Sequence, residues 1–344
     1  MIKYMDDLIK WYIKDCCFTQ EEKLSLRIAR EASPEEASPE EYKQLIQNYF
    51  DRMPFCNLTS EDHFIAFDES GTAFIDKIFE KEVDDDTLVI STTYEHTSVQ
   101  KCLAVTKNKI LLNSENDIRA YNIKPLIDKS KQYKKVFVYI IGTQLSTGEI
   151  TPQLFYERLK EEFIKNNIEH KIMIDDVHGM FLTPRDYRIF DYVLYTAHSL
   201  VTEYNMGLLI TKEYMFGKKA YNWGKEYLEK LDIILKRRLK MLQFKNIIIQ
   251  YFSEYLADKN MFKLFNFTSD HIFAAETQGL KYDTETWEKL DSYKIRVSEF
   301  DMPKNWVRIR FQEFTRLSED KAIEGLHYFI KLIEKQKMIN HLRG

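Results

Sequence analysis

Lys171-Ile172-Met173-Ile174-Asp175-Asp176-Val177-His178-Gly179 runs a strand-length apolar segment straight into two carboxylates and a histidine. Apolar residues on consecutive positions mark a strand covered on both faces, and such strands belong to parallel sheets flanked by helices. The same signature recurs on either side, at Phe64–Phe67, Thr87–Thr92, Lys109–Leu112, Val136–Ile141, Tyr192–Tyr195 and Gly207–Thr211. Helical stretches separate these runs, so the pattern predicts an α/β domain with a mostly parallel, seven-stranded sheet flanked by helices. In an open sheet of this kind ligands sit beyond the carboxyl ends of the strands, and chemistry is to be sought in the polar residues there.

Outside the alternating region the periodicity is helical. Residues 1–30 place Leu8, Trp11, Tyr12, Leu24 and Ile28 at roughly helical spacing around a break near Cys16 to Thr19. Ser38, Pro39 and Glu41 spell a capping box with proline at the first helical position, predicting a short helix through Phe50. Residues 213–258 read as one or two long helices with Leu228, Leu231, Ile234, Leu235, Leu239 and Leu242 on one stripe. Strands at His271–Glu276, Lys294–Val297 and Trp306–Phe311 and a helix over Ser318–Gln336 then predict a smaller C-terminal α+β domain. The expected divisions are an N-terminal helical segment (1–55), a large α/β domain (56–215), connecting helices (216–258) and the small domain (259–344).

Composition narrows the classes. With 50 basic against 54 acidic residues and a net charge of -4, the chain has no basic footprint for nucleic acid. No apolar run approaches the roughly 20 residues that span a bilayer, and Met1-Ile2-Lys3-Tyr4-Met5-Asp6-Asp7 is unlike a signal peptide, so a cytoplasmic location is expected. Cys16, Cys17, Cys56 and Cys102 form no C-x-x-C pair and read as reduced thiols. Only 10 glycines are present, few for a chain that would build a glycine-rich phosphate loop.

Four strand ends carry polar clusters: Asp68-Glu69-Ser70-Gly71-Thr72, Tyr94-Glu95-His96-Thr97-Ser98, Asp175-Asp176-Val177-His178-Gly179 and Thr196-Ala197-His198-Ser199. Ser70, Gly71 and Thr72 open a helix whose free N–H groups and dipole suit a phosphate, though the same residues make an ordinary helix start. His96 alone also fits a satisfied strand-end histidine. Asp175, Asp176 and His178 are the most specific group, because carboxylates at the end of an apolar strand are costly to desolvate without a task. Asp176 itself also reads as solvated, Trp223 and Trp287 read as core, and Lys236-Arg237-Arg238-Leu239-Lys240 reads as a solvated helix face.

Taken in order, these segments resemble the fold-type I pyridoxal-phosphate enzymes, closest to the class V aminotransferase and cysteine desulfurase branch. The likeness runs from about residue 60 to the C-terminal helix. Glu95-His96-Thr97-Ser98 resembles the family's Glu-His-x-Ser segment, which implies that His96 stacks on the pyridine ring. The loop Gly142-Thr143-Gln144-Leu145-Ser146-Thr147-Gly148-Glu149-Ile150-Thr151-Pro152 resembles Asn-x-x-Thr-Gly-x-x-x-Pro. Asp175 and His178 match Asp-x-x-His/Gln, implying a carboxylate that keeps the pyridinium protonated and a partner for the ring oxygen. Trp306-Val307-Arg308-Ile309-Arg310-Phe311 resembles the Val-Arg-x-Ser strand, implying that Arg308, with Arg310 on the same face, holds the substrate carboxylate. Both arginines also fit the surface of an edge strand.

Tyr195-Thr196-Ala197-His198-Ser199 resembles the family's Ser/Thr-x-His-Lys strand end, but Ser199 stands where the family has the lysine of the Schiff base. Serine forms no imine and supplies no amine for proton transfer. Lys212, the next lysine, falls after the following strand. Three origins stay open: a natural loss with altered cofactor chemistry, a natural loss of catalysis, and an engineered replacement. Histidine replaces this lysine in some sugar dehydratases of the wider fold, and His198 is the candidate base here; as a bland alternative it is a relic of the motif. The loop Ser298 to Asn305 lacks the nucleophilic cysteine of desulfurases, which disfavours sulfur transfer.

The leading expectation is an unusual pyridoxal-phosphate-type transferase or lyase acting on an amino acid or amino sugar. It would hold pyridoxal phosphate or pyridoxamine phosphate non-covalently, and the resemblance implies a homodimer. Transamination, decarboxylation and elimination all remain open at such a site. The alternative is a catalytically inactive, aminotransferase-like binding or dimerisation module with a protein partner. A third reading is a metal-dependent hydrolase with His96, Asp175, Asp176, His178 and His198 around a cation.

Overall fold

A computed structural model describes residues 2–16, 37–53, 56–68, 70–144, 147–179, 183–196, 206–213, 220–256, 262–264, 272–277, 283–297 and 306–343. His198 and Ser199 lie outside the described residues, as do the expected helical residues 17–30 and the loop 298–305. The chain divides into two compact units that are not linear in sequence. One comprises residues 25–145 and 150–235, the other residues 1–24, 146–149 and 236–344.

The first unit is built on seven strands: β1 (Phe64–Asp68), β2 (Thr87–Thr92), β3 (Lys109–Leu112), β4 (Lys135–Ile141), β5 (His170–Asp175), β6 (Tyr192–Thr196) and β7 (Gly207–Thr211). They lie in the order β1-β7-β6-β5-β4-β2-β3. All neighbours are parallel except β7, which runs antiparallel to both β1 and β6. The expected mostly parallel seven-stranded sheet is therefore present, and each expected strand begins and ends within one residue of its observed bounds. The carboxyl ends of β2, β4, β5 and β6 share one edge. Ile141 pairs with Asp175, and Asp175 in turn pairs with Leu194.

Helices form where the sequence caps them. Ser38 accepts from the Glu41 N–H while Glu41 accepts from the Ser38 N–H, starting the helix Pro39–Arg52. Ser70 caps the helix Gly71–Glu82 by accepting from the Ala73 N–H at 3.3 Å. That helix buries Phe74, Ile75, Ile78 and Phe79 against Ala66, Val89, Phe137, Tyr139, Met173, Leu194 and Leu209 of one sheet face. Each large side chain so buried contributes roughly 1.5–3 kcal/mol relative to exposure.

The second unit contains a four-stranded antiparallel sheet of Phe262–Leu264, Ile272–Thr277, Ile295–Val297 and Trp306–Arg310, with the last strand in its interior. Its helices include Ile2–Cys16, Thr284–Ser292 and Glu319–Arg343. Asp6 of the first receives hydrogen bonds from Tyr251 at 3.0 Å and Tyr255 at 2.6 Å. The expected long helical region is a single helix over Ala220–Tyr255, without an internal break. Phe262–Leu264 was too short to stand out as a strand, and Thr284–Ser292, capped by Asp283, is a further element that the apolar pattern did not announce.

Candidate active site

The polar clusters Ser70 to Thr72, Glu95 with His96, Asp175 to His178, and Thr196 gather along the carboxyl edge of the large sheet. At its β6–β7 end the approach is closest. A Cβ on Gly71 would stand 2.9 Å from Thr196 Cγ2, and one on Gly207 would stand 2.4 Å from the carbonyl carbon of Ser70. Only glycine lets the start of β7 pass this close to the helix start, so backbone N–H groups of Gly71 and Thr72 and the Thr196 side chain share one small region. Gly71 is buried and Thr72 exposed.

Asp175 closes β5. Its Oδ2 accepts from the Tyr139 hydroxyl at 2.6 Å and its Oδ1 from the Val177 N–H at 3.2 Å. Burial pushes this carboxyl upward, while the Tyr139 and Val177 hydrogen bonds and the charge of His96 pull it down. His96 caps the helix Thr97–Val105, its Nδ1 accepting from the Ser98 N–H and lying 2.6 Å from Ser98 Oγ. One ring edge is thus fixed and the ring itself stays exposed. His178 is buried, three residues beyond Asp175.

Asp176 corrects the solvated reading. It is 0% exposed, its Oδ2 accepting from the Tyr187 hydroxyl at 2.7 Å with Arg185 Nε at 3.3 Å. Arg185 also donates to the carbonyls of Gly142 at 2.7 Å and Thr151 at 2.9 Å, tying the loop after β4 to the loop after β5. Asp176 is therefore a structural anion with its own cation. A Cβ on Gly142 or Gly179 would come within 2.3 and 2.2 Å of its Oδ1, so both glycines are needed for its placement.

Two side chains that the sequence did not single out belong to the same edge. Glu95 is 1% exposed, its Oε1 accepting from the Thr92 hydroxyl at 2.5 Å and more distantly from the N–H groups of Thr92 and Ile141. Burial pushes it up to about 8, with Thr92 opposing and Asp175 adding to the rise. Gln144, also buried, donates to Thr92 Oγ1 at 3.1 Å. Among the described residues, Glu95 Oε2, Gln144 Oε1 and Thr143 Oγ1 have no hydrogen-bond partner. A tyrosine inside the apolar run Val136–Ile141 was the one sequence signal for the Tyr139–Asp175 bond; Glu95 and Gln144 stand in the two resembling segments but were given no role, and Arg185 carried no signal.

The residues fit a pyridine cofactor. Such a group brings a ring cation to a carboxylate that burial drives toward its neutral form. Asp175 would face the ring nitrogen, His96 the ring face, His178 the ring oxygen, and Ser70, Gly71, Thr72 and Thr196 the phosphate. For the metal-dependent reading, no group of three or more His, Cys, Asp or Glu among the described residues is placed to hold an ion, and its fifth ligand, His198, lies outside them. Asp176 is committed to Arg185, and Asp175 to Tyr139. Lys212 lies away from this edge. Thr196 pairs with Gly207 whereas Tyr192 pairs with Thr211, so Lys212 stands at the opposite end of β6 from Thr196.

Arg308 and Arg310 belong to the other compact unit. Their strand is interior rather than an edge, and Arg308 is only 4% exposed, which corrects the surface reading. Arg310 forms an ion pair with Glu313, whose carboxyl is held below its usual range by Arg310, Arg296 and Arg308 against the opposing effect of burial. Trp287 is 38% exposed rather than core. No described helix is long and apolar enough to cross a membrane.

No family model and no curated protein sequence matches the chain. Solved structures do. A NifS-like protein from Rickettsia africae ESF-5 is 15% identical with a TM-score of 0.62, the match covering 92% of this chain and 95% of that one. A PLP-dependent aminotransferase from Streptococcus suis 89-1591 is 11% identical with a TM-score of 0.60, covering 96% and 90%. The kynurenine aminotransferase of Pyrococcus horikoshii is 15% identical with a TM-score of 0.62, covering 95% and 87%. Across nearly its whole length the chain has the fold of these enzymes, aminotransferase fold type I.

Proposed function

We propose that the chain is a pyridoxal-phosphate-type transferase or lyase that acts on an amino acid or amino sugar and holds its cofactor without a covalent lysine link. The observation that carries this reading is Asp175: a buried carboxylate at the end of a central strand, pushed upward by burial, with hydrogen bonds from Tyr139 and Val177 opposing the shift. A docked pyridinium supplies the missing positive charge, and when bound the cofactor supplies an electron sink for the substrate's bonds. His96 supports one ring face, and Asp175 holds a proton on the ring nitrogen. Ser70, Gly71, Thr72 and Thr196 anchor the phosphate. By the family resemblance Arg308, with Arg310, is the candidate for the substrate carboxylate, and His198, next to Ser199 in sequence, is the candidate base. The enzyme would work as a cytoplasmic homodimer. Equilibrium dialysis against pyridoxamine phosphate tests the reading: stoichiometric binding that Asp175→Asn abolishes supports it, and binding unaffected by Asp175→Asn refutes it.

The second reading is an inactive, aminotransferase-like module that keeps the fold for binding or dimerisation. Lys212 at the opposite end of β6 from Thr196 favours it, because that lysine is out of reach of the strand end where the family carries its own. A stable complex with a second protein, purified without cofactor, would support this reading; a homodimer that retains cofactor would exclude it.

A further inference from the structure

Three acids are buried at one end of the large sheet, and their surroundings differ. Asp176 has an arginine and a tyrosine hydroxyl. Asp175 has a tyrosine hydroxyl and a backbone N–H. Glu95 has three donors, all on one oxygen and none of them cationic, while its second oxygen is buried without a hydrogen-bond partner among the described residues. A carboxylate with one bare buried oxygen buries an uncompensated charge, whereas a carboxylic acid with its proton on that oxygen leaves only an unpaired O–H, a smaller cost. Glu95 Oε1 also accepts from the N–H of Ile141, the residue paired with Asp175 across β4 and β5, so the two acids are close neighbours.

We infer that Glu95 is a proton-carrying positioning residue beside Asp175, and that by staying neutral it leaves Asp175 as the single carboxylate that meets a ring cation at this edge. The inference rests on the cofactor reading above and adds a residue that it does not use. The ionisable groups around the pair are His96 on the loop after β2, Tyr139 on β4, Tyr156 on the helix Gln153–Lys165, and Asp176 with its Arg185. Of these, Asp176 and Arg185 balance each other, and the two tyrosines are neutral because burial raises both. Burial also holds Glu95 up at about 8, so its proton leaves only in alkaline solution. Loss of that proton adds a second negative charge and tightens the hold on a cation.

The test compares the intact protein with Glu95→Gln, an isostere of the neutral acid, in titrations with pyridoxamine phosphate from pH 6 to pH 9. The ligand's own ionisation is common to both and cancels in the ratio of dissociation constants. Equal affinity at pH 6, with the variant about tenfold weaker by pH 9, supports the inference. A ratio that does not change with pH, or a variant already much weaker at pH 6, overturns it. If neither protein binds at any pH, the cofactor reading fails, and urea unfolding of the ligand-free proteins decides the inference separately: a pH dependence unchanged by Glu95→Gln overturns it. Should Glu95→Gln not fold, infrared spectra of Asp175→Asn decide. A protonated-carboxyl band at pH 7 that disappears in alkali supports the neutral Glu95, and its absence overturns it.

Discussion

Replacing Glu95 by glutamine should stabilise the protein, and increasingly so as the pH rises. In the folded chain Glu95 titrates near 8, against 4.5 for an ordinary glutamate. Between those values the folded state holds a proton that the unfolded state has released, so stability is full below about 4.5 and declines as pH rises toward 8. Each tenfold step in proton affinity is worth about 1.4 kcal/mol, so the rise from 4.5 to about 8 amounts to about 5 kcal/mol lost at alkaline pH. Glutamine keeps an acceptor for Thr92 and Ile141 and cannot ionise. The advantage of the variant in urea unfolding should be about 2 kcal/mol at pH 6 and grow by roughly 2.5 kcal/mol by pH 9. A variant less stable than its parent at both pH values, or an advantage that is constant with pH, would refute the reasoning.

Other substitutions probe the same edge. Arg185→Met leaves Asp176 buried without its cation and frees two loop carbonyls, and should cost about 3–5 kcal/mol in urea unfolding; a cost under 1 kcal/mol would contradict the buried pair. Gly207→Ala forces a methyl against the Ser70 backbone, and should lower stability by roughly 1–3 kcal/mol and weaken phosphate-containing ligands, both readable by thermal melts with and without inorganic phosphate. Tyr139→Phe removes the hydroxyl from Asp175 Oδ2 and should cost about 1–3 kcal/mol at neutral pH, with unchanged stability counting against that hydrogen bond.

The run at Lys171–Ile174 and most of its companions were legible because burial on both faces demands uninterrupted apolar residues, as in a sheet covered by helices on both sides; β7 shows it while running antiparallel, and β3 is largely exposed. Ser38, Pro39 and Glu41 were legible for a local reason, since a capping box is written in side chains three residues apart. Phe262–Leu264 was not, being three residues long, nor was Thr284–Ser292, whose surface is largely polar. At the site, Asp175 stood out because it ends an apolar strand. Asp176 was misread because its partners, Arg185 and Tyr187, come from a loop about ten residues on, and nothing in the local sequence reports that the chain folds back. Glu95 was passed over because its burial depends on Thr92 and Ile141 from two different strands. Arg308 was read as either functional or peripheral; register alone showed its strand to be interior.

The proposed enzyme holds a pyridoxal-type cofactor with Ser199 in the lysine's place. It is tested most directly by absorption spectra recorded while pyridoxal phosphate is titrated into the unmodified protein and into Ser199→Lys. The account predicts a saturable spectral change in the unmodified protein that sodium borohydride does not fix to the chain, and one in Ser199→Lys that borohydride does fix, at residue 199. No spectral change in either protein would contradict it.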